Sequence, residues 1–132
     1  MKAPSDSEVT AIHEAGHCII GDLIGVRVSF VTIAEPAHCS LSWRGVLKIC
    51  LSDSHRAVFF LAGMTVQRYY FPIVPITSRN DEAVLMGLPE HRRIAYTDFI
   101  NHYLADPAVR RKIEDLAARL MTDLSIEFLI QL

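Results

Sequence analysis

The stretch TAIHEAGHCIIGDLIG, Thr10–Gly25, decides the fold, because it sets polar side chains at regular spacing into an apolar helical pattern. His13 and His17 are four residues apart. On an α-helix both imidazoles therefore lie on one face, about one turn from each other, and can bind one zinc ion. Glu14 follows His13 directly, which places its carboxylate beside such an ion without ligating it. The stretch predicts a helix that carries a zinc site.

This HExxH arrangement is that of the zinc metallopeptidases, in which the glutamate takes a proton from water and passes it to the leaving amine. Glu14 is accordingly the predicted general base. The alternative interpretation is a helix with polar residues on a partly exposed face. An ionised glutamate beside two imidazoles in an apolar segment otherwise has no purpose, which favours the metal site.

A catalytic zinc ion needs a third protein ligand, and its position separates the peptidase classes. The metzincin pattern requires glycine at position 20 and histidine at position 23, but the chain has Ile20 and Leu23. The thermolysin pattern takes a glutamate from a later helix. Glu35 is a weak candidate for that ligand because it precedes Pro36 in a strand-like stretch. The remaining candidate is Asp81, at the start of a predicted helix after a loop with two prolines.

Local patterns predict where the elements begin and end. SDSE, Ser5–Glu8, is typical of a capping box, so the first helix should start near Ser5 and end at Leu23 or Ile24, with Gly25 as its stop. VRVSFVTIAEP and HCSLSW favour strands, arranged as a hairpin or as three short strands up to Leu47. Further helices are predicted from Ser52 or Ser54 to just before Pro72, and over residues 79–88, 90–105 and 107–130.

Composition limits the classes of protein that fit. With 132 residues, 51% of them hydrophobic, residues 1–132 are expected to form a single domain. Acidic and basic residues are interspersed and the net charge is −2, which disfavours nucleic acid as a partner. The longest uncharged, mostly apolar run is well short of the roughly 20 residues that span a bilayer, so no membrane insertion is expected.

The cysteines favour a reducing compartment. Cys18, Cys39 and Cys50 are odd in number and form no CxxC pair, and the first residues lack an apolar signal segment. We therefore expect a cytoplasmic protein with reduced thiols. Cys18 adjoins His17 but points about 100° away around the helix, so it is expected to pack in the core.

Several segments resemble the FtsH-type ATP-dependent metallopeptidases. HEAGH with its apolar continuation resembles the zinc-binding helix of that family. VRVSFVTIAEPAHCSLSW resembles its following strand segment, FFLAGMTVQRYYF a helix that begins with a leucine-glycine-glycine motif, and SRNDEAVLM a serine-asparagine-aspartate site. The resemblance covers pieces from Thr10 to Met86 and, more loosely, DPAVRRKIEDLAARLM. It implies that His13, His17 and Asp81 are the metal ligands and that Glu14 is the general base.

The chain also departs from that family. Ser78 and Arg79 stand where a small pair is usual before the aspartate, and Gln67 and Arg68 replace acidic residues on the second helix. The ATPase ring domain and the transmembrane anchor of the family are not expected here. A separate ATPase chain would then supply any ATP-driven unfolding. A homo-oligomer of this chain is the other assembly considered.

Together these patterns predict a mainly α-helical α+β domain, a helical cluster with a small β-sheet, that holds one Zn²⁺. The predicted function is a zinc metallopeptidase that hydrolyses unfolded proteins or peptides. An extended substrate would add as a strand beside HCSLSW, which makes His38, Cys39, Ser40 and Leu41 the predicted substrate-binding residues. The alternative is a degenerate zinc-binding module that serves as an interaction partner or regulator.

Overall fold

The computed structural model describes residues 3–41, 53–76, 81, 83 and 86–128. In these ranges four long helices accompany one three-stranded antiparallel sheet, which confirms the predicted mainly α-helical α+β class. The elements follow one another as α1 (Asp6–Leu23), β1 (Val28–Thr32), β2 (His38–Leu41), α2 (Asp53–Tyr70), α3 (Glu90–Leu104), α4 (Pro107–Asp123) and β3 (Ser125–Glu127).

Helix α1 begins and ends where its cap residues predict. The Ser5 hydroxyl oxygen accepts a hydrogen bond from the Glu8 backbone N–H at 3.1 Å and also donates to the Glu8 carboxylate at 3.1 Å. At the other end Gly25 has a φ of +84°, a left-handed conformation that glycine adopts without steric strain. The capping box and the glycine stop are therefore both confirmed.

The later helices also match their predicted limits, with one exception described below. Helix α2 starts at Asp53 and ends at Tyr70. Helix α3 follows Pro89, and the Asp106 carboxylate caps α4 by accepting the Ala108 N–H at 2.9 Å. Of the helix predicted over residues 79–88, the described positions 81, 83, 86 and 87 are helical, Leu88 is a bend after the helix, and the others lie outside the described residues. Within the described part of the chain, no helix is both long and apolar enough to cross a membrane.

The sheet is built around β1, which has a neighbour on each side. The strand order is β2-β1-β3, and Val31 of β1 lies opposite Cys39 on β2 and Ile126 on β3. The predicted hairpin of β1 and β2 is confirmed. Positions 42–47, where a further strand was an alternative, lie outside the described residues.

The prediction of one helix over residues 107–130 is wrong at its C-terminal end. Helix α4 ends at Asp123, Leu124 takes a φ of 63°, and Ser125–Glu127 form β3. The Ser125 hydroxyl donates to Thr32 Oγ1 at 2.8 Å, and Ile126 is buried. Residues 125–127 thus make backbone hydrogen bonds with the edge of β1 instead of the local ones that a continued helix would have made. Because β1 lies far away in the sequence, the local pattern could not predict this pairing.

Helix α1 lies at the centre of the fold, packed between α2, α4 and the sheet. Buried apolar side chains from all four helices, β1 and β3 form one continuous cluster, in which Ala11, Ala15 and Ile20 of α1 are fully buried. Gly16 faces Val66 of α2 so closely that an added Cβ atom would lie 2.7 Å from the Val66 Cβ. The lack of a side chain at Gly16 therefore sets the spacing of α1 and α2.

This contact predicts a stability effect. Gly16→Ala should reduce the free energy of unfolding by about 1–3 kcal/mol, because the new methyl group overpacks the contact with the branched Val66 side chain. Denaturant unfolding followed by circular dichroism measures the change. Gly87→Ala is the matched control, because a Cβ atom there meets nothing within 4 Å. Equal stability of Gly16→Ala and wild type would contradict the proposed packing constraint.

Candidate metal centre

Three buried side chains, two from α1 and one far along the chain, meet at one point. The Asp81 Oδ2 atom lies 2.7 Å from His13 Nε2 and 3.1 Å from His17 Nε2, and the two Nε2 atoms are 3.2 Å apart. Each of these residues is at most 6% exposed. Among the described residues this is the group of histidine, cysteine and acidic side chains that can hold a metal ion.

The other ring nitrogens of the two histidines are held by α2. His17 Nδ1 lies 2.8 Å from the Phe59 carbonyl oxygen, and His13 Nδ1 lies 2.8 Å from Gln67 Oε1. The Gln67 amide nitrogen donates to the Pro75 carbonyl at 3.3 Å, which fixes the amide so that its oxygen faces His13. Because both partners are acceptors, each Nδ1 atom carries a proton, which leaves the Nε2 atoms as the ones that can bind a metal ion or a further proton.

This donor set requires a cation at its centre. Two imidazole lone pairs and one carboxylate oxygen face each other in a buried space, and such an arrangement is repulsive unless protons or a metal ion lie between them. Two ligands of a tetrahedral zinc ion with bonds of about 2.0–2.1 Å stand about 3.3 Å apart. The three donor atoms are already close to that separation, so the residues could hold a metal ion with bonds of this length after a small outward shift.

The pKa values of His17 and Asp81 also indicate that positive charge stabilises this group. Burial by itself lowers the pKa of His17, but the hydrogen bond to Asp81 and the nearby carboxylate charges outweigh it and raise that pKa to about 9. Burial alone would raise the pKa of Asp81, but its hydrogen bonds with His13 and His17 lower it well below the usual range. Without metal, therefore, a proton on His17 neutralises the Asp81 carboxylate at neutral pH.

Gly63 of α2 makes room for the two imidazoles. A Cβ atom at this position would lie 2.6 Å from His13 Nε2 and closer still to His17 Nε2. No side chain larger than hydrogen can occupy this position while both donor atoms keep their places. Gly63 therefore belongs to the site, although it offers no ligand atom.

Glu14 shares a cavity with two of the three ligand candidates. The cavity has a volume of about 100 Å³ and is lined by Glu14, His17, Ala37, His38, Cys39, Phe59, Phe60 and Asp81. Glu14 is only 7% exposed, and its Oε2 atom accepts a hydrogen bond from the Cys39 thiol at 3.0 Å. Its carboxylate is therefore beside the candidate metal centre and outside the ligand group, as the HExxH spacing predicts.

Of the four predicted substrate-binding residues, two are among the described residues that line this cavity. His38 and Cys39 line the cavity, whereas Ser40 is not among its described lining residues and Leu41 ends β2. His38 Nδ1–H donates to the Pro36 carbonyl at 2.7 Å, which holds its ring at the start of the edge strand. A hydrogen bond with Cys18, together with burial, raises the pKa of the Cys39 thiol and keeps it protonated as the donor to Glu14.

Two residues considered from the sequence lie away from the metal group. Glu35 is exposed and is not part of the described cluster that can hold an ion. The thermolysin-type alternative therefore lacks geometric support. Cys18 is buried in the main apolar cluster, which confirms the prediction that it packs in the core.

The α2 residues that hold the histidines were not predicted from the sequence. Phe59, Gly63 and Gln67 recur at four-residue intervals, so they lie along one face of α2. That spacing matches the interval between His13 and His17 on α1. This shared four-residue spacing was the signal in the sequence that could have pointed to the α2 residues. It does not show, however, that the two helix faces are in contact.

No protein-family model matches the sequence, and no curated protein matches it significantly. The resemblance to the FtsH-type peptidases therefore stays a prediction that depends on short motifs.

The ligand set can be tested by substitution. Asp81→Ala should bring the zinc content of dialysed protein from about one ion per chain to near zero, because the two imidazoles lose their anionic partner. Glu35→Ala should retain full content, since Glu35 lies outside the group. Metal analysis by mass spectrometry measures both. Loss of zinc from Glu35→Ala alone would support the thermolysin-type ligand set instead.

Gly63 provides a second test that leaves all three ligands in place. Gly63→Ala should weaken zinc binding by at least about tenfold, because the new methyl group displaces the two Nε2 atoms. Competition with a chromogenic chelator measures the affinity. Gly87→Ala, on open surface, should bind zinc as wild type does. Wild-type affinity of a folded Gly63→Ala variant would show that the histidines bind metal in another arrangement.

Proposed function

We propose that this chain is a zinc-dependent peptidase domain that hydrolyses unfolded proteins or peptides. The observation that carries the proposal is the position of Glu14. Its carboxylate lines the same cavity as His17 and Asp81, yet it is not one of the three converging donors. A metal site that served only to stabilise the fold would not need a further, non-ligating carboxylate that is itself buried beside the ligands.

The choice of zinc follows from the donor set. Two imidazole nitrogens and one carboxylate oxygen suit zinc better than they suit magnesium or calcium, which favour oxygen ligands. Three protein ligands are also the usual number for a catalytic zinc site, whereas structural sites have four. When bound, zinc supplies a Lewis acid that acidifies water and polarises a peptide carbonyl.

In this proposal the protein moves the proton through Glu14. Its carboxylate accepts a proton from the attacking water as the bond from oxygen to the carbonyl carbon forms. It then delivers that proton to the leaving nitrogen as the carbon–nitrogen bond breaks. The Cys39 thiol, which donates to Glu14 Oε2 at 3.0 Å, holds the carboxylate in position inside the cavity. Phe59 and Phe60 contribute apolar walls that limit the access of bulk water.

Strand β2 is the proposed binding edge for substrate. It is the outer strand of the sheet, and its second edge is not paired with any strand in the described residues. His38 and Cys39 on this strand line the cavity, so an extended peptide paired with β2 would pass the metal centre. A folded protein cannot offer such a strand without local unfolding, which is why unfolded substrates are proposed.

One observation favours the second candidate, a non-catalytic zinc-binding module. The proposed base already accepts a hydrogen bond from Cys39, and that contact has to persist or break during each cycle. In a module without catalysis, the same contact would only satisfy a buried carboxylate. Substitution of Glu14 separates the two candidates.

Glu14→Gln keeps the size of the side chain but removes the proton acceptor. Cleavage of unfolded casein should fall by roughly 10²–10⁴-fold, while zinc content and folding stay near wild type because Glu14 is not a ligand. Glu35→Gln, an exposed carboxylate outside the cavity, is the matched control and should cleave as wild type does. His13→Ala should lose both zinc and activity.

Two outcomes would overturn the peptidase proposal. If zinc-loaded wild type cleaves no unfolded substrate, the non-catalytic module becomes the better account. If Glu14→Gln cleaves as fast as wild type, another group carries the proton, and the proposed role of Glu14 is wrong.

A further inference from the structure

Two cysteines from different elements meet behind the metal centre. Cys18 of α1 and Cys39 of β2 have their Sγ atoms 3.8 Å apart, and neither forms a disulfide. Cys18 follows the ligand candidate His17 directly, and Cys39 lies on the strand that lines the metal-site cavity. The pair therefore links the metal-binding helix to the edge strand.

The pair also lies between two cavities. Cys39 faces the cavity that contains Glu14 and Asp81. Cys18 lines a separate cavity of about 290 Å³, together with Asp22, Arg27 and mainly apolar side chains. A small oxidant can thus approach Cys18 from this second cavity without entering the metal centre.

We propose that Cys18 and Cys39 are an oxidation site that a hydroperoxide converts into an intramolecular disulfide. In the first step, Cys18 sulfur attacks the peroxide and becomes a sulfenic acid, and the peroxide leaves as water or an alcohol. In the second step, Cys39 sulfur attacks the Cys18 sulfur, and the hydroxyl group leaves with the Cys39 proton as water. The two thiols lose two electrons, which the peroxide gains.

This disulfide would change the surroundings of Glu14. The bonded sulfur atoms would be about 2.0 Å apart instead of 3.8 Å, so β2 and α1 must move closer or the side chains must rotate. The Cys39 thiol proton, which is donated to Glu14 at 3.0 Å, would be lost. The effect on catalysis depends on the proposed peptidase function, whereas formation of the disulfide does not.

The oxidation site is tested in a Cys50→Ser chain, so that only the two paired thiols are counted. The folded protein is treated with hydrogen peroxide, quenched, denatured and titrated with a thiol reagent. We expect two free thiols per chain to fall to zero. Peptide mass spectrometry should find Cys18 joined to Cys39 within one chain, and dithiothreitol should restore both thiols.

Other results would overturn the oxidation site. If both thiols stay free in the folded chain while the urea-denatured chain is oxidised, the pair only fills space in the core. Disulfides between chains, or sulfinic acid at Cys18 without a disulfide, would equally exclude a paired site. Cys39→Ser in the same background leaves Cys18 as the sole cysteine, so peroxide should still consume its thiol if Cys18 reacts first, and circular dichroism checks that the variant folds.

The link to Glu14, meaning an effect of the disulfide on catalysis through loss of the Cys39 proton, is tested separately. Casein cleavage is measured before oxidation, after oxidation and after reduction. A severalfold loss of cleavage that dithiothreitol reverses would support the link. A disulfide that forms with no change in cleavage would overturn the link. If the reduced chain cleaves nothing, the peptidase proposal fails, while the thiol count still decides the oxidation site.

Discussion

The close contact of α1 with α2 is the constraint on which the rest of the structure depends. Each helix contributes one glycine to it: Gly16 admits a valine of α2, and Gly63 admits the two imidazoles of α1. At this spacing the Phe59 carbonyl and the Gln67 amide oxygen reach the Nδ1 atoms. The helix that supplies the two histidines is therefore oriented by a helix that supplies no ligand.

Pairing of the polar groups within the site explains how the fold tolerates buried charge. His13, His17, Glu14 and Asp81 are all buried, and burial of a charged group is costly unless it is paired or hydrogen-bonded. Each of the four has a partner: the histidines contact Asp81 and α2, and Glu14 contacts the Cys39 thiol. Such a cluster contributes little to stability compared with apolar side chains of the same volume, so its presence indicates a function.

Local sequence patterns predicted the parts of the fold and site that depend on local physics. The Ser5 cap, the helix limits and the shared face of His13 and His17 follow from hydrogen bonding and helical periodicity within a few residues. Pairing of β3 with β1 and the contact of Gln67 with His13 join residues distant in the sequence, and no local pattern records such contacts. Asp81 was named from the residues as the remaining third-ligand candidate, and the resemblance implied the same role; its contact with His13 and His17 is a long-range feature that the structure supplies.

The order of the ligands along the chain has a further consequence. His13 and Asp81 are 68 positions apart, and the segment between them includes β1, β2 and α2. A bound ion would join the two ends of this segment, as a cross-link does, and would bind the folded chain far better than the unfolded one. By mass action, a ligand at 1,000 times its dissociation constant stabilises the folded state by about 4 kcal/mol. Metal supply would then control how long the folded protein survives in the cell as well as what it can do.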